Sequence, residues 1–442
     1  MRILKQSMAA ALALVAAPLA AQQAAAPAAS VPAAGLDNRA VVAEIRRVVA
    51  ERYVLPERRP ALDAALAEAL AAGRYDVAEP NLLAERINED LARVGRDRHL
   101  NFSFDPRRAA ILAARSNQKA PDPSGFERQV REANHGITEL RLLPGNVRYM
   151  AYDGFLWIGP ESAAALDTAI RFLGGGQAII IDLRRNGGGD ADASQYLISH
   201  FLPADQVLYT YYEKAGAQAT RVSTLPAVAG GRLIGKPLYV LTSGATASAA
   251  EEFAGNVGGF KLGELVGEKT AGAGYPNDLV PIDGRFVLSV STGRVVLAST
   301  ARDWEAVGIA PTIPTAAGQA LDAAQVHALR LLLAVMPEAE RPRMEALAEG
   351  ISARLEVRAP ALALAAYAGS FGERRLVAEA GNLYYQRGDR PRSLLIPLGG
   401  NRFAFDNDPA LQLEFGAGDK AAKAFTILRP GLPPQGTYER TE

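Results

Sequence analysis

The chain has 442 residues, with 48 Lys+Arg balanced by 48 Asp+Glu and no cysteine. That length allows two or three domains around a sizeable core, and a formal charge of zero argues against a dedicated nucleic-acid or anionic-membrane surface. Without cysteine the protein forms no disulfides, and a lipid anchor of the lipoprotein kind is excluded.

Arg2 and Lys5 precede the apolar run Met8 to Ala21 and then small residues, so residues 1–26 read as a secretory signal peptide, too short for a good membrane span. No later segment is long and apolar enough to span. The Ala- and Arg-rich composition suggests a bacterium, hence a periplasmic or secreted protein, and Ala24 to Ala34 reads as a disordered lead-in. Asp37 can cap a helix carrying Val41, Val42, Ile45, Val48 and Val49 on one face. A second helix opens at Pro60 and a third after Pro80, with Leu83, Ile87, Leu91 and Val94 at spacings of three and four. Leu100, Phe102 and Phe104 alternate as a strand does, leaving His99 at its entrance. Arg107 to Arg131 is charged and proline-marked and reads as a connection.

Leu143 to Phe155 reads as a turn and a strand, and Glu161 to Leu173 as a helix. Ala178 to Leu183 is dense enough in isoleucine to be a central strand buried on both faces. It breaks at Asn186-Gly-Gly-Gly-Asp190 and passes into a helix. The alternation recurs through residue 266, indicating an α/β core with mostly parallel pairing. A hairpin is expected around Asp283-Gly284, then helices over 317–335 and 337–357. After Pro360 the strand-like pieces 383–386, 393–396, 402–405 and 411–415 indicate a small antiparallel β domain.

The richest stretch is Leu238 to Phe253. A buried-strand run to Thr242 meets a small-residue turn and then a helix, so the Ser248 hydroxyl stands at a helix N-terminus, where unpaired N–H groups favour an oxyanion. The same letters, Ser248-Ala-Ala-Glu251, also spell a capping box in which the serine only starts the helix. Among the four histidines, His327 and His200 lie in apolar, packing-type surroundings, His135 in a turn, and His99 where a side chain can project into a cleft. The Asn186-Gly-Gly-Gly189 loop allows close backbone approach to a carbonyl but lacks a phosphate-loop pattern. Gly267 to Gly274 is a second such loop and contains Lys269. Asp303-Trp-Glu305 offers two carboxylates. No pair of histidines has metal-ligand spacing, so no metal site is expected.

Asn186-Gly-Gly-Gly189, Ser248-Ala-Ala-Glu251, Gly267-Glu-Lys-Thr270 and Glu305-x-x-Gly-Ile-x-Pro311, in that order, resemble the serine peptidases of family S41, the tail-specific or carboxyl-terminal-processing type. Asp97-x-His99-Leu100 and Leu143-Pro-Gly-Asn-Val147 are similar to the branch that includes interphotoreceptor retinoid-binding protein and the tricorn core protease. The resemblance implies a ClpP/crotonase-like α/β core over 97–315, preceded by a helical domain over 36–96 and followed by a helical connector over 316–358 and the β domain over 359–442. It implies Ser248 as nucleophile, His99 as general base and Glu305 as the orienting carboxylate. Gly187 or Gly188, with the N–H of Ala249, would be the oxyanion donors. No metal or organic cofactor is implied, and the partner is a peptide or protein substrate. In the processing proteases a lysine base falls where this chain has Ala273, so a serine–lysine dyad is unavailable in that geometry, and no PDZ-like segment is evident. The alternative of a different class is a non-catalytic protein that binds lipophilic or peptide ligands on the same fold.

Overall fold

The computed structural model describes residues 35–117, 124–213, 219–356, 358–416 and 421–441; the leader and the Ala/Pro lead-in lie outside them. The described chain opens with α1 (Asn38–Arg52), α2 (Arg59–Ala71) and α3 (Pro80–Gly95). Asp37 caps α1 by accepting the Ala40 N–H at 3.0 Å, and Pro80 occupies the first turn of α3, where its missing N–H goes unused. Next come β1 (Asn101–Phe104), α4 (Pro106–Asn117) and α5 (Ser124–Glu132). The stretch expected to be a plain connection therefore forms two helices. Their apolar anchors are few, with Ala109 and Val130 buried, and the surrounding charges mask them in the sequence.

The α/β core follows as β2 (Ile137–Leu143), β3 (Val147–Tyr152), α6 (Pro160–Gly174), β4 (Ala178–Asp182), α7 (Ala191–Ile198), β5 (Val207–Glu213), β6 (Thr220–Ser223), β7 (Leu238–Thr242), α8 (Ala249–Gly259) and β8 (Glu264–Gly267). After it come the hairpin β9 (Asn277–Ile282) and β10 (Phe286–Ser291), then β11 (Gly293–Leu297), β12 (Ile313–Pro314), α9 (Ala320–Val335) and α10 (Arg341–Leu355). The main sheet has the order β12-β8-β7-β4-β3-β2, parallel except for β2 at its edge.

β4 is buried throughout because both faces of the sheet are covered. Ile179 and Ile181 pack with Leu166, Leu197 and Phe253 from α6, α7 and α8. Ile180, pointing the other way, packs with Leu329 of α9 and Leu347 of α10. β4 and β7 are neighbours near the centre of the sheet, and their carboxyl ends open into adjacent loops, the place where α/β sheets hold ligands.

A second core joins the N-terminal helices to the hairpin. β1 pairs antiparallel with β10, and Phe102, Phe286 and Leu288 share one buried cluster with Ile45, Leu66 and Ile87. The rings of Phe102 and Phe286 stack at 4.8 Å. Thus the strand that follows His99 is anchored in the helical unit.

The C-terminal part is one antiparallel sheet of eight strands in sequence order, from β13 (Gly369–Phe371) to β20 (Thr437–Glu439), around Tyr367, Phe403, Phe415 and Phe425. The Thr441 N–H reaches Ser370 O at 2.9 Å, tying the last residues to the first strand. Four of these strands match the strand-like pieces in the sequence; the others are short or, like Arg374–Glu379, half charged with one buried side chain, Leu376.

One buried group stands out. Glu252 on α8 is enclosed in the main core with a single hydrogen bond, from Ser194 Oγ at 3.2 Å, and burial pushes its carboxyl up to about 8. The folded state therefore holds a proton there between the ordinary glutamate range and about pH 8, and stability falls as pH rises through that window. Glu252→Gln should remove this fall, becoming more stable than the wild type by a few kcal/mol near pH 9 and by little at pH 4. Urea unfolding at the two pH values checks it; equal differences at both would contradict the assignment.

Candidate active site

Ser248 lies at the turn from β7 into α8 with φ 54° and ψ −122°, outside the extended conformation of an ordinary N-cap. A non-glycine residue at this φ is strained, and such strain persists only where surrounding bonds enforce it. Here they are evident. Ser243 Oγ donates to Arg184 O at 2.6 Å, Thr246 Oγ1 to Leu183 O at 2.8 Å, and the Ala247 N–H to Asn186 O at 3.1 Å. The loop after β4 thus fastens the loop after β7. The Ser248-Ala-Ala-Glu251 capping box read in the sequence is present, with Glu251 Oε2 accepting the Ser248 N–H at 3.0 Å.

Glu251 does more than close the box. It is fully buried and also accepts from Thr270 Oγ1 (2.5 Å), Gly272 N (2.6 Å) and Ala273 N (2.8 Å). Burial pushes its carboxyl above the ordinary range against the pull of these donors. The next two residues continue the path: the N–H groups of Gly274 and Tyr275 donate to Glu305 Oε2 at 2.6 and 2.9 Å. Glu305 Oε1 accepts the Arg98 N–H at 2.8 Å. Two carboxylates and one loop therefore connect the serine turn to the segment that carries His99.

At that end, one side-chain atom each of Asp97, His99 and Glu305 lies within 4.8 Å of the others. With three backbone N–H groups on its oxygens, Glu305 belongs to a hydrogen-bonding cluster more naturally than to a metal cage. Burial, and then the charge of Asp97, push its carboxyl up to about 7, against those three donors. Burial holds the His99 ring below its usual range, opposed by the Asp97 charge. Ser289 Oγ on β10 donates to the His99 carbonyl and fixes the backbone there. The structure brings His99 and Glu305 together and ties both to the Ser248 turn, but no hydrogen bond closes between the Ser248 hydroxyl and the ring.

Of the oxyanion donors expected from the sequence, the Gly188 N–H is already engaged by Asn186 Oδ1 at 2.8 Å, which removes it from that role. Among the described residues the Gly187 N–H has no acceptor, and the Ala249 N–H is one of the unpaired donors that open α8. Gly188 contributes by its size instead. With φ +103°, a Cβ there would stand 2.6 Å from Ser248 Cβ and 2.8 Å from Ala247 O. Ala273, where the related pattern has lysine, is buried, and Lys269 is exposed. Tyr275 is also buried, with its N–H on Glu305. The other histidines are engaged elsewhere: His200 with Gly231 O at 2.6 Å, His327 with Tyr239 OH at 3.0 Å, and His135 with Ser162 Oγ at 2.9 Å. The sequence missed the second carboxylate at His99, Asp97, and the reach of Glu251; the Asp-x-His spacing was the one available sign of the first.

A family model described as peptidase family S41 matches residues 146–315, and one for the N-terminal domain of peptidase S41 in eukaryotic IRBP matches residues 21–134. The chain belongs to peptidase family S41. The two matches cover the Ser248 turn and the His99 segment of this S41 chain respectively. The carboxyl-terminal-processing protease of Synechocystis sp. is 31% identical over 120 residues, 27% of this chain and 27% of that protein. The chloroplastic carboxyl-terminal-processing peptidase 3 of Arabidopsis thaliana is 28% identical over 142 residues, 32% of this chain and 26% of that protein. This S41 chain thus spans about a quarter of the length of the curated relatives it matches. Among solved structures, the photosystem II D1 C-terminal processing protease aligns with TM-score 0.41 at 16% identity, covering 64% of this chain and 94% of that one. The tricorn protease aligns with TM-score 0.39 at 13% identity, covering 65% and 35%.

Proposed function

We propose that this S41 chain is an exported serine peptidase, periplasmic or secreted, that hydrolyses peptide bonds through an acyl-enzyme on Ser248. His99 takes the Ser248 proton as the hydroxyl attacks the scissile carbonyl and returns it to the leaving amine; water then cleaves the ester by the same route. Glu305, which accepts the Arg98 N–H beside the ring, orients that segment and steadies the imidazolium with its charge. The free N–H groups of Gly187 and Ala249 receive the oxyanion, each such donor contributing about 3 kcal/mol in the transition state. Every step uses side chains and backbone N–H groups of this chain. The substrate is a peptide or protein, in keeping with relatives named for carboxyl-terminal processing.

The observation that carries this reading is the strained Ser248 backbone, at φ 54°, with a glycine pressed against it. An ordinary helix start needs neither feature. Export rests on the basic and apolar leader of residues 1–26, and among the described residues no helix is long and apolar enough to cross a membrane. The test is labelling by a fluorophosphonate probe. Wild-type protein should be modified at Ser248, located by peptide mass mapping, and Ser248→Ala should not. Folded wild-type protein that stays unlabelled would favour the non-catalytic binding protein.

A further inference from the structure

His99 stands beside two carboxylates, and they are not equivalent. Both Glu305 oxygens are occupied by backbone N–H groups, from Arg98 on one and from Gly274 and Tyr275 on the other. Asp97 uses only Oδ1, which accepts the N–H groups of His99 at 2.8 Å and Leu100 at 3.2 Å. Its Oδ2 is buried without a partner, and so is Nδ1 of His99. An unpaired acceptor and an unpaired ring nitrogen thus share one small buried cluster, where unmet polar atoms are uncommon unless they serve each other or a substrate complex.

We infer that Asp97 is a positioning residue of the catalytic base: in the working enzyme its Oδ2 accepts the Nδ1–H of His99, leaving Nε2 free for the Ser248 proton, while Glu305 holds the neighbouring loop and supplies a second negative charge. The inference rests on the proposed role of His99. Asp97 itself is held from the N-terminal helices. Tyr53, at the end of α1, is fully buried with its hydroxyl beside Asp97, whose charge and hydrogen-bonding pull add to the burial that drives this phenol above its ordinary range. Arg58 lies close to the same hydroxyl and donates to Gly95 O, two residues before Asp97. The charged or titratable groups around the pair are therefore Glu305, Tyr53 and Arg58.

Asparagine at position 97 separates the two jobs of this side chain. Its carbonyl oxygen can keep the turn, but its amide presents N–H where Oδ2 stood and favours the wrong ring tautomer. Nitrogen-15 NMR of the histidines in full-length protein reads the outcome directly, since there are four to resolve. At neutral pH wild-type His99 should carry its proton on Nδ1. Asp97→Asn should move it to Nε2, lower the ring pKa, and slow fluorophosphonate labelling of Ser248 by about 10²-fold or more, with an unchanged melting temperature. Asp97→Ala should lose both turn and labelling. An Asp97→Asn protein that keeps the Nδ1 proton and the wild-type labelling rate, beside a damaged Asp97→Ala, would reduce Asp97 to a turn residue and overturn the inference. Because the tautomer is read without turnover, a protein whose proton moves as expected but whose wild type is never labelled supports the Asp97–His99 contact while removing the peptidase reading.

Discussion

Alanine in place of His99 is expected to slow peptide hydrolysis by about 10⁴-fold or more while leaving the protein folded. The ring stands at the entrance to β1, held by its backbone through Asp97 and Ser289, so its removal takes away the proposed base without opening the core. Combining His99→Ala with Ser248→Ala should cost little beyond either change alone if the proposed nucleophile and base act as one unit. The pH profile follows from the same groups. A protonated ring cannot accept the serine proton, so the rate rises with pH, and burial places the first rise below the ordinary histidine range. A second rise near pH 7 is expected as Glu305 ionises and can stabilise the imidazolium, and Glu305→Gln should abolish that second rise. A wild-type kcat/KM that stays flat from pH 5 to 8 would count against His99 as base.

The second large effect belongs to Glu251. Alanine there leaves four donors, from Ser248, Thr270, Gly272 and Ala273, without their shared acceptor inside a closed interior. Each stranded donor costs about 1–3 kcal/mol, and since they relax together a total of roughly 3–5 kcal/mol is expected. Thermal melting should show a fall of about 5 °C, and fluorophosphonate labelling should disappear even where the protein remains folded, because the serine turn has lost its tether. A Glu251→Ala protein that melts like the wild type and labels at the same rate would show that the hydrogen-bonded path is incidental.

These two residues mark how far the sequence could be read. The strand, turn and helix around Ser248 were legible because each is a local pattern: an apolar run, small residues, then helix formers. His99 was legible because strand alternation ends beside it. Glu251 could be read only as a capping residue, since three of its four partners lie 19, 21 and 22 positions away, and no local pattern records them. The Gly188 N–H was a reasonable oxyanion donor until Asn186 was found holding it, a contact set by loop geometry. β2 escaped because as an edge strand it exposes Leu140 and Leu142 and so lacks apolar alternation toward a core. α4 and α5 escaped for the related reason that charged residues surround their few apolar anchors.

The joining of β1 to β10 also bears on the protein during its own synthesis. The segment carrying His99 leaves the ribosome early, yet its strand partner follows Ile282 and Glu305 comes later still. A chain that has reached Ser248 already holds Asp97 beside His99 but still lacks β10 and Glu305, so the proposed site is complete only once these long-range partners are made.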